Sequence, residues 1–418
     1  MKKALSLTLV LCILLFCATG YAASAEAPKQ VTLKVFMEWP QYQEQFDKYF
    51  EQFKAKELAE KNIDVTIVTE MPNSDQVYPV LKARLASNDA PDLFTLHAIS
   101  DIPLYYQAGY LMDLSDQPFV PTVFDKVREG VTYDGKVVAL PMESLVWGYL
   151  YNKKIFAENA ITPPQTLDEM KAVVEKLKAN NVTPFLLAYQ EAWVPQLMMV
   201  LALAGIVDTT QPDWVEKMNA GQASYKDVER VFDIIDLINA NGTDKPFEVG
   251  NSTGCADFAN GKAAMWVQGP WAADSILKSN PDMEFGVAPL PVSNDPEGSK
   301  VVFAVGTSVA VSPTTKNKEV ALDLLNYLLD PVDSSALFES LKFNQVASFM
   351  TYDTFPWIAE AMTYVEQGKA HHEVIYAAGI GDETAKLMQS YYLHDMTKDE
   401  VIQDLDKTWA NGVEVLQQ

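Results

Sequence analysis

The sequence predicts an α/β protein of two domains. From residue 31 to a strand that starts near Asp92, the periods of strands and helices alternate in the order β-α-β-α-β, which builds a parallel sheet covered by helices. A second unit begins after the turn YDGK at 133–136. The chain has 418 residues, which is enough for two domains of ordinary size.

The first unit contains three predicted strands and two predicted helices. Apolar residues alternate from 31 to 37, the period of a half-buried strand. A helix follows, and its aromatic residues between 46 and 53 share one face. A strand at 63–68, a helix with apolar residues spaced from 77 to 85, and the strand near Asp92 complete the unit.

The ends of these strands are expected to border a ligand-binding cleft. In open parallel sheets, ligands bind outside the carboxyl ends of the strands. Glu38 and Trp39 come directly after the first strand, and the segment from His97 to Asp101 follows the third. We therefore predict that Glu38, Trp39 and Asp101 face a cleft. The alternative for Trp39 is packing on Phe46 at the start of the helix.

The second unit also mixes strands and helices. A strand at 146–151 precedes a helix that starts at the capping box TLDE, residues 166–169. The later predicted elements are helices at 193–203, 225–240, 317–329 and within 377–415, and strands near 285–287 and in the glycine-interrupted run at 301–311.

The stretch FANGKAAMWVQGPW (258–271) predicts a strand, a turn and the start of a helix. Its apolar run stops at Gly269-Pro270, and proline is favoured in the first turn of a helix because its missing N–H would be unpaired there anyway. Trp271 is therefore expected at a helix N-terminus just beyond a strand end. Trp266, within the strand, is expected in the core.

The N-terminus predicts export. Two lysines precede an apolar run at 4–17, and the small residues at 23–25 fit a signal-peptidase cleavage pattern. The sequence thus predicts a secretory signal peptide over residues 1–25 and an extracytoplasmic mature protein. Lipid attachment at Cys17 is the alternative, although that processing requires a small residue in front of the cysteine, where this chain has Phe16.

The mature chain is expected to be free of disulfides and membrane spans. Only Cys255 remains after the signal peptide is removed, so no intramolecular disulfide is expected even in an oxidising compartment. No later apolar stretch is expected to be long enough to span a bilayer.

The charge of the chain limits its partners. The formal net charge of −24 becomes −26 when Lys2 and Lys3 leave with the signal peptide, which disfavours nucleic acid and anionic lipid. Arginine occurs only at Arg84, Arg128 and Arg230, so a guanidinium clamp on a carboxylate or phosphate has few places to form. These features favour a neutral ligand.

Six segments carry a family likeness over nearly the whole mature chain. They are LKARLASNDAPDLF (81–94), YDGKVVALPME (133–143), LYNKKIFAENAITPPQTLDEM (150–170), FANGKAAMWVQGPW (258–271), FGVAPLPV (285–292) and GTSVAVSPTTKNKEVALDLLNYLL (306–329). With these segments in this order and spacing, the chain resembles the family 1 extracellular solute-binding proteins, the maltose-binding-protein-like sugar-binding subunits of ABC importers.

The resemblance implies a two-lobe, periplasmic-binding-protein-like fold of type II. Each lobe would hold a mostly parallel sheet flanked by helices, and a hinge would join the lobes and close on a ligand. The N-terminal lobe would contain residues 26–139 and 303–343, and the C-terminal lobe residues 140–302 and 344–418. The hinge crossings would lie near 139–143, 301–304 and 342–346.

The resemblance also implies a function. The protein would bind a mono- or oligosaccharide between its lobes, as a monomer and without a cofactor, and would deliver it to the membrane permease of an ABC importer. Sugars offer an apolar face of C–H groups and an edge of hydroxyls, so their sites combine aromatic platforms with amide or carboxylate partners.

Trp271, Trp193, Trp39 and Tyr352 are the aromatic candidates. Family members with QGPW stack this tryptophan on a sugar ring, which suggests that role for Trp271, and a core position beside the hinge is the alternative. Trp193 stands at a loop-to-helix junction where the family often has an aromatic contact. Tyr352 belongs to the aromatic loop SFMTYDTFPW (348–357), one ring of which is expected to close over the site.

Glu38, Glu143, Gln190, Glu191 and Asp101 are the polar candidates. Glu143 lies beside the first predicted crossing and matches a family position whose carboxylate can bind a hydroxyl. A surface carboxylate in a proline-containing turn is the alternative. Gln190 and Glu191 directly precede Trp193, where polar groups interrupt the apolar pattern.

Other functions stay open at this point. A polyamine or another cationic solute is the main alternative ligand, because Glu38, Glu143 and Glu191 offer carboxylates beside aromatic walls. A phosphorylated polyol would need clustered arginine or lysine. A secreted glycosidase is less favoured, since the chain has no G-x-S-x-G, H-E-x-x-H or Walker A motif. Residues 371–373 (HHE) point in different directions with no third ligand spaced to join them, so no metal is expected.

Overall fold

The computed structural model describes residues 27–73, 76–87 and 89–417, with side chains up to Glu414. The predicted signal peptide and Cys17 lie outside the described residues. The strands are Lys29–Phe36 (β1), Ile63–Glu70 (β2), Leu93–His97 (β3), Thr132–Tyr133 (β4), Lys136–Val137 (β5), Leu140–Pro141 (β6), Ser144–Trp147 (β7), Tyr149–Asn152 (β8), Met265–Trp266 (β9), Phe285–Ala288 (β10), Val301–Val305 (β11), Thr307–Val311 (β12) and Ala370–His371 (β13).

The helices alternate with these strands. They are Gln43–Lys61 (α1), Val77–Ala86 (α2), Ala98–Gln107 (α3), Asp125–Gly130 (α4), Lys153–Glu158 (α5), Leu167–Ala179 (α6), Trp193–Thr210 (α7), Trp214–Asn219 (α8), Val231–Ala240 (α9), Asn251–Ala259 (α10), Ala273–Ser279 (α11), Lys318–Tyr327 (α12), Ser334–Leu341 (α13), Pro356–Glu366 (α14), Ile380–Tyr392 (α15) and Lys398–Gln417 (α16).

The first lobe is built on a five-stranded sheet in the order β2-β1-β3-β12-β6. Strand β1 pairs in parallel with both β2 and β3, and this confirms the β-α-β-α-β unit that the sequence predicts. Strand β12 returns antiparallel to β3 and β6. The sheet is therefore mixed rather than wholly parallel, because β12 enters it from the other lobe.

The second lobe contains two three-stranded sheets. One has the order β10-β8-β9 and is antiparallel throughout. The other has the order β13-β11-β7, with β11 antiparallel to β7 and parallel to β13. Since β6 and β7, and likewise β11 and β12, are almost continuous in the chain, they carry the backbone from one lobe to the other. The molecule has the expected two-lobe α/β architecture.

The two lobes have separate apolar cores. The core of the first lobe includes Leu33, Phe94 and Phe338, all completely buried. The core of the second lobe consists of two clusters, one containing Trp214 and the other Trp266. Trp266 is 1% exposed, so its predicted core position is confirmed.

The third passage between lobes comes later in the chain than the sequence suggested. Val346, Ala347 and Tyr352 belong to the core of the first lobe, whereas Trp357 belongs to the second. The segment stays on the first lobe because Ala347 forms a β-bridge with Val123. The chain leaves the first lobe after Tyr352, whereas 342–346 was expected. No local pattern in the sequence predicts a pairing between residues so far apart in the chain.

Gly306 separates β11 from β12 and marks the second passage between lobes. A Cβ atom at this position would lie 2.7 Å from Cδ1 of Leu145 and 3.1 Å from Oε2 of Glu143, so there is no room for a side chain. The Gly306 N–H donates a hydrogen bond to the backbone carbonyl of Glu143 (3.2 Å). The first and second passages are thus held side by side.

Helix α7 corrects one expectation about membrane spans. This helix, Trp193–Thr210, has 18 residues and is long and apolar enough to cross a bilayer, although no such stretch was expected. In the structure, 67% of this helix is buried inside the second lobe. It is therefore the central core helix of that lobe, a role that also needs an apolar surface on all sides.

Candidate functional site

Glu38 lies at the carboxyl end of β1, where the sequence analysis placed it. Its backbone N–H donates to Oγ1 of Thr95 on β3 (3.0 Å). Its carboxylate accepts hydrogen bonds from Oγ1 of Thr307 and from the Tyr78 hydroxyl. Burial raises the pKa of Glu38 above its ordinary value, and the two hydrogen bonds act in the opposite direction.

Glu143 stands between β6 and β7, on the first passage between the lobes. It is only 5% exposed, and its Oε2 accepts a hydrogen bond from the Thr307 N–H (3.2 Å). Burial raises the pKa of Glu143 to about 8, and the negative charge of Glu38 adds to the shift. Thr307 therefore joins the two carboxyl groups, one through its side chain and one through its backbone.

Asp101 lies in the first turn of α3, beyond the end of β3. Its Oδ2 accepts the His97 N–H (2.8 Å), so it satisfies one of the free donors at the helix start. Burial raises the pKa of Asp101 to about 7, and the charge of Glu38 contributes in the same direction. Three carboxyl groups from different elements thus face one region without a neutralising arginine.

Trp271 lies in the single-turn helix Pro270–Ala272 that follows β9, so the predicted strand, turn and helix start are confirmed. Gly269 is required beside it, because a Cβ there would overlap the indole ring at 2.0 Å. The Trp271 ring contacts the edge of Trp147, with centroids 5.3 Å apart. Its Nε1–H is buried and has no hydrogen-bond partner among the described residues.

A recess between the lobes brings Trp271 and Glu143 together. The recess is narrow in this closed arrangement, and the volume open to a water-sized molecule is about 10 Å³. Both lobes and the first passage contribute to its wall, which consists of Tyr42, Glu143, Ser144, Leu145, Val146, Pro270, Trp271, Leu341, Lys342, Phe343, Asn344 and Ile358.

Tyr42 and Phe343 are wall residues that the sequence analysis missed. Tyr42 is 2% exposed and contacts Phe343 edge to face, with ring centroids 5.6 Å apart. Burial raises the pKa of Tyr42 well above its ordinary value, and Asp274 of the opposite lobe and Glu143 add to the effect. Tyr42 could have been identified as an aromatic residue close to the end of β1. No local sequence pattern identifies Phe343.

Gln190, Glu191 and Trp193 form a separate group on the second lobe. The Glu191 carboxylate accepts the N–H of Asn251 (2.8 Å) at the start of α10, and Gly250 leaves both polar side chains room. Trp193 is half-buried against the core of this lobe, and its Nε1–H has no partner among the described residues. None of the three is part of the recess wall, and their contact with a ligand stays a prediction.

Trp39 and Tyr352 pack within the first lobe. The Trp39 ring is stacked on Phe46 at 5.6 Å and 5°, which is the arrangement of the alternative stated for it, and it also contacts Phe343. The Tyr352 hydroxyl donates to the carbonyl of Phe343 (2.9 Å). Both side chains therefore contact Phe343 inside the first lobe. Neither lies in the recess wall.

One ion pair joins the lobes directly. Nζ of Lys82 on α2 lies 2.9 Å from Oδ2 of Asp382 on α15, and the side chains are 46% and 61% exposed. Ile99 of the first lobe also packs against the core of the second. The lobes therefore touch on the side of α2 and α3, so the arrangement described is a closed one.

The exposure of this ion pair sets the size of the effect that we expect from breaking it. Replacing Asp382 with asparagine should weaken ligand binding by no more than about fivefold, because exposed ion pairs contribute at most about 1 kcal/mol. The charge exchange of Lys82→Asp with Asp382→Lys should restore most of the loss. Calorimetric titration at low and high salt measures both effects, and a larger loss that the exchange does not repair would mean that the pair has another role.

Residues 39–333 match the family of bacterial extracellular solute-binding proteins. The chain belongs to this family. The matched range starts at the end of β1 and includes both Glu143 and Trp271, as well as the first and second passages between the lobes. Family membership places this solute-binding protein outside the cytoplasm.

Several sugar-binding proteins are similar to this solute-binding protein in sequence. The multiple sugar-binding protein of Streptococcus mutans is 26% identical over 294 residues, which cover 67% of this chain and 70% of that protein. The melibiose/raffinose/stachyose-binding protein MelE of Bacillus subtilis is 21% identical over 346 residues, which cover 80% and 78%.

Solved structures show the same fold. A sugar transporter protein of Bacillus licheniformis in complex with stachyose superimposes with a TM-score of 0.79 at 19% identity, covering 91% of this chain and 100% of that one. RafE in complex with raffinose gives a TM-score of 0.78 at 23% identity, covering 91% and 99%. At this level of identity the likeness establishes the architecture of the solute-binding protein and leaves its ligand open.

The described part of the chain contains no group of three His, Cys, Asp or Glu side chains that could hold a metal ion. His371 is buried and His372 is exposed, so the adjacent histidines face different environments. Burial lowers the pKa of His371 below its ordinary value.

Proposed function

We propose that this solute-binding protein captures a carbohydrate, a mono- or oligosaccharide, between its lobes and delivers it to the permease of an ABC importer. The observation that carries the proposal is the recess in which Trp271 of one lobe, Tyr42 of the other and Glu143 of the connecting segment share a wall. A ligand there contacts both lobes at once, which is the condition for ligand binding to favour closure.

The chemistry of the wall suits a neutral polyhydroxyl ligand. An indole ring presents a flat apolar face to C–H groups, and carboxyl groups bind hydroxyls at the ring edge. No arginine belongs to the recess wall, and the cationic side chain that does, Lys342, has its Nζ over the Phe355 ring at 5.2 Å. Arg84 is paired with Glu70 and Asp89, and Arg128 with Asp125, so two of the three guanidinium groups are engaged elsewhere.

The protonation state of the carboxyl groups also favours a neutral ligand over a polyamine. Burial raises the pKa of Glu143 to about 8, which favours the neutral, hydrogen-bonding form of this carboxyl group near neutral pH. The names of relatives that bind multiple sugars, or melibiose, raffinose and stachyose, support the same ligand class.

Delivery, oligomeric state and export belong to the same proposal. The closed form presents surfaces of both lobes to a membrane permease, and it works as a monomer without a cofactor or catalytic activity. The signal peptide over residues 1–25 directs the chain out of the cytoplasm, with cleavage between Ala25 and Glu26. Mass spectrometry of the mature N-terminus distinguishes this cleavage from lipid attachment at Cys17.

A thermal-shift screen of the mature protein tests the proposed ligand class. The panel contains raffinose, stachyose, maltotriose, glucose and galactose, together with sorbitol, putrescine and spermidine. A ligand present at about 100 times its dissociation constant adds about 2.7 kcal/mol to the stability of the folded state. We expect at least one sugar to raise the melting temperature. A shift with spermidine and with no sugar would reverse the assignment in favour of the cationic alternative.

A further inference from the structure

Gln268 is a completely buried amide that lies outside the recess wall, between the short strand β9 and Trp271. Its Oε1 accepts a hydrogen bond from the N–H of Gly269 (3.1 Å), and its Nε2 donates to Oδ1 of Asn251 (2.9 Å). Burying an amide without hydrogen-bond partners is unfavourable. These two bonds, one accepted and one donated, therefore fix the orientation of the Gln268 side chain.

The partner of this amide is itself held in place. Asn251 is the first residue of α10, and its backbone N–H donates to the Glu191 carboxylate (2.8 Å), a favourable place for a negative charge. A Cβ at Gly250 would lie 2.6 Å from Oε1 of Gln190 and 3.0 Å from both carboxylate oxygens of Glu191, so only glycine allows this close approach. Glu191 thus anchors the start of α10, and the start of α10 anchors Gln268.

The Trp271 ring depends on the backbone beneath it for its orientation. Its Nε1–H has no hydrogen-bond partner among the described residues. The ring lies on Gly269, where a Cβ would come within 2.0 Å of it. Both polar backbone groups of Gly269 are held, the N–H by Gln268 and the carbonyl by the N–H of Ala272 (3.1 Å). The residue on which the indole rests is therefore fixed on both sides.

We propose that Gln268 is a positioning residue for Trp271: it holds the Gly269 backbone so that the indole ring keeps one orientation at the recess wall before a ligand binds. This inference rests on the proposed carbohydrate-binding function, in which the ring is the sugar platform. A group that is already ordered in the free protein binds more tightly, because its side-chain freedom is not lost on binding. Glu191 and Asn251 contribute indirectly, since they act through Gln268.

Fluorine NMR of the ligand-free protein tests the orientation of the ring directly. Labelling with 5-fluorotryptophan gives one signal for each of the eight tryptophans, and Trp271→Phe identifies the signal of Trp271. Gln268→Met keeps the length of the side chain and removes both hydrogen bonds. We expect the Trp271 signal to broaden or split in this variant, because the ring takes more than one orientation. A single sharp signal would overturn the proposal.

A second variant removes a partner of the amide rather than the amide itself. Asn251 is half-buried, and Asn251→Ala leaves Nε2 of Gln268 without its acceptor. We expect a smaller change of the same kind in the Trp271 signal. This variant decides the question if Gln268→Met does not fold, and an unchanged signal would then contradict the proposal.

Calorimetric titration shows whether Gln268 affects ligand binding through Trp271. The probes are raffinose, stachyose, maltotriose, galactose and glucose. Gln268→Met should weaken the binding of those that the wild type binds by about tenfold, a loss of about 1.4 kcal/mol. In the Trp271→Ala background the same change should weaken binding by less than about twofold, because no ring remains to be positioned. Equal losses in both backgrounds would indicate a general structural role and would overturn the proposal.

The control is Gln211→Met, which makes the same replacement elsewhere in the second lobe. Nε2 of Gln211 donates to the Asp227 carbonyl (3.4 Å), and neither residue belongs to the recess wall. We expect this variant to leave the Trp271 signal and the affinities unchanged. If the wild type binds none of the five sugars, the proposed function fails, whereas the fluorine signal still decides whether Gln268 positions the ring.

Discussion

Replacing Trp271 with alanine is expected to weaken sugar binding by about 2 kcal/mol, roughly 30-fold, which is the scale of a lost aromatic anchor. The ring forms part of the recess wall and is partly exposed, and our proposal assigns it the role of the sugar platform. Trp271→Phe should lose less, because it keeps an aromatic face while it removes the unpaired Nε1–H. Calorimetric titration with the sugar that gives the largest thermal shift measures each affinity.

The control for this prediction is an aromatic side chain away from the recess. Phe124 is 41% exposed at the start of α4, and Phe124→Ala should leave the affinity unchanged. The melting temperature of Trp271→Ala without ligand must be recorded as well, since Trp271 also contacts Trp147. Unchanged affinity together with an intact melting transition would remove Trp271 from the site.

The second large effect concerns Glu143 and pH. Because burial raises the pKa of Glu143 from 4.5 to about 8, the folded chain binds this proton more tightly than the unfolded chain does. Stability is therefore highest when the pH is below the unfolded value, and it declines as the pH rises toward the folded value. Each pH unit between the two values corresponds to about 1.4 kcal/mol, so the full effect reaches up to about 5 kcal/mol.

Glu143→Gln should remove most of this dependence. Glutamine resembles the protonated acid in shape and keeps an acceptor for the Thr307 N–H. The melting temperature of the variant minus that of the wild type should increase as the pH rises from about 5 to about 9. Glu366 is exposed, so the melting temperature of Glu366→Gln should change with pH in the same way as that of the wild type. A constant difference between Glu143→Gln and wild type over this range would show that Glu143 is ionised in the folded state.

The sequence predicted those parts of the structure that depend on local patterns. Alternating and helical periods were enough for the unit from β1 to β3, since a half-buried strand and an amphipathic helix have distinct repeats. The glycine and proline before Trp271 fixed the end of a strand and the start of a helix. The alternating pattern placed Glu38 directly after a strand, and the general rule for parallel sheets predicted that this strand end borders a cleft.

The parts that the sequence did not predict depend on contacts between distant segments. The loop containing Tyr352 stays on the first lobe because Ala347 bridges Val123. Trp39 was predicted to face the ligand because it follows a strand end, yet its ring turns inward onto Phe46.

Calorimetric titration of variants with one change in each lobe tests the central claim that a sugar is held between the lobes. Tyr42→Leu changes the recess wall of the first lobe and Trp271→Ala that of the second. The sugar with the largest thermal shift is titrated into each variant and into the wild type. We expect both variants to lose at least about tenfold in affinity. A loss in Trp271→Ala with full affinity in Tyr42→Leu would mean that the sugar binds to the face of one lobe, and would contradict capture between the two.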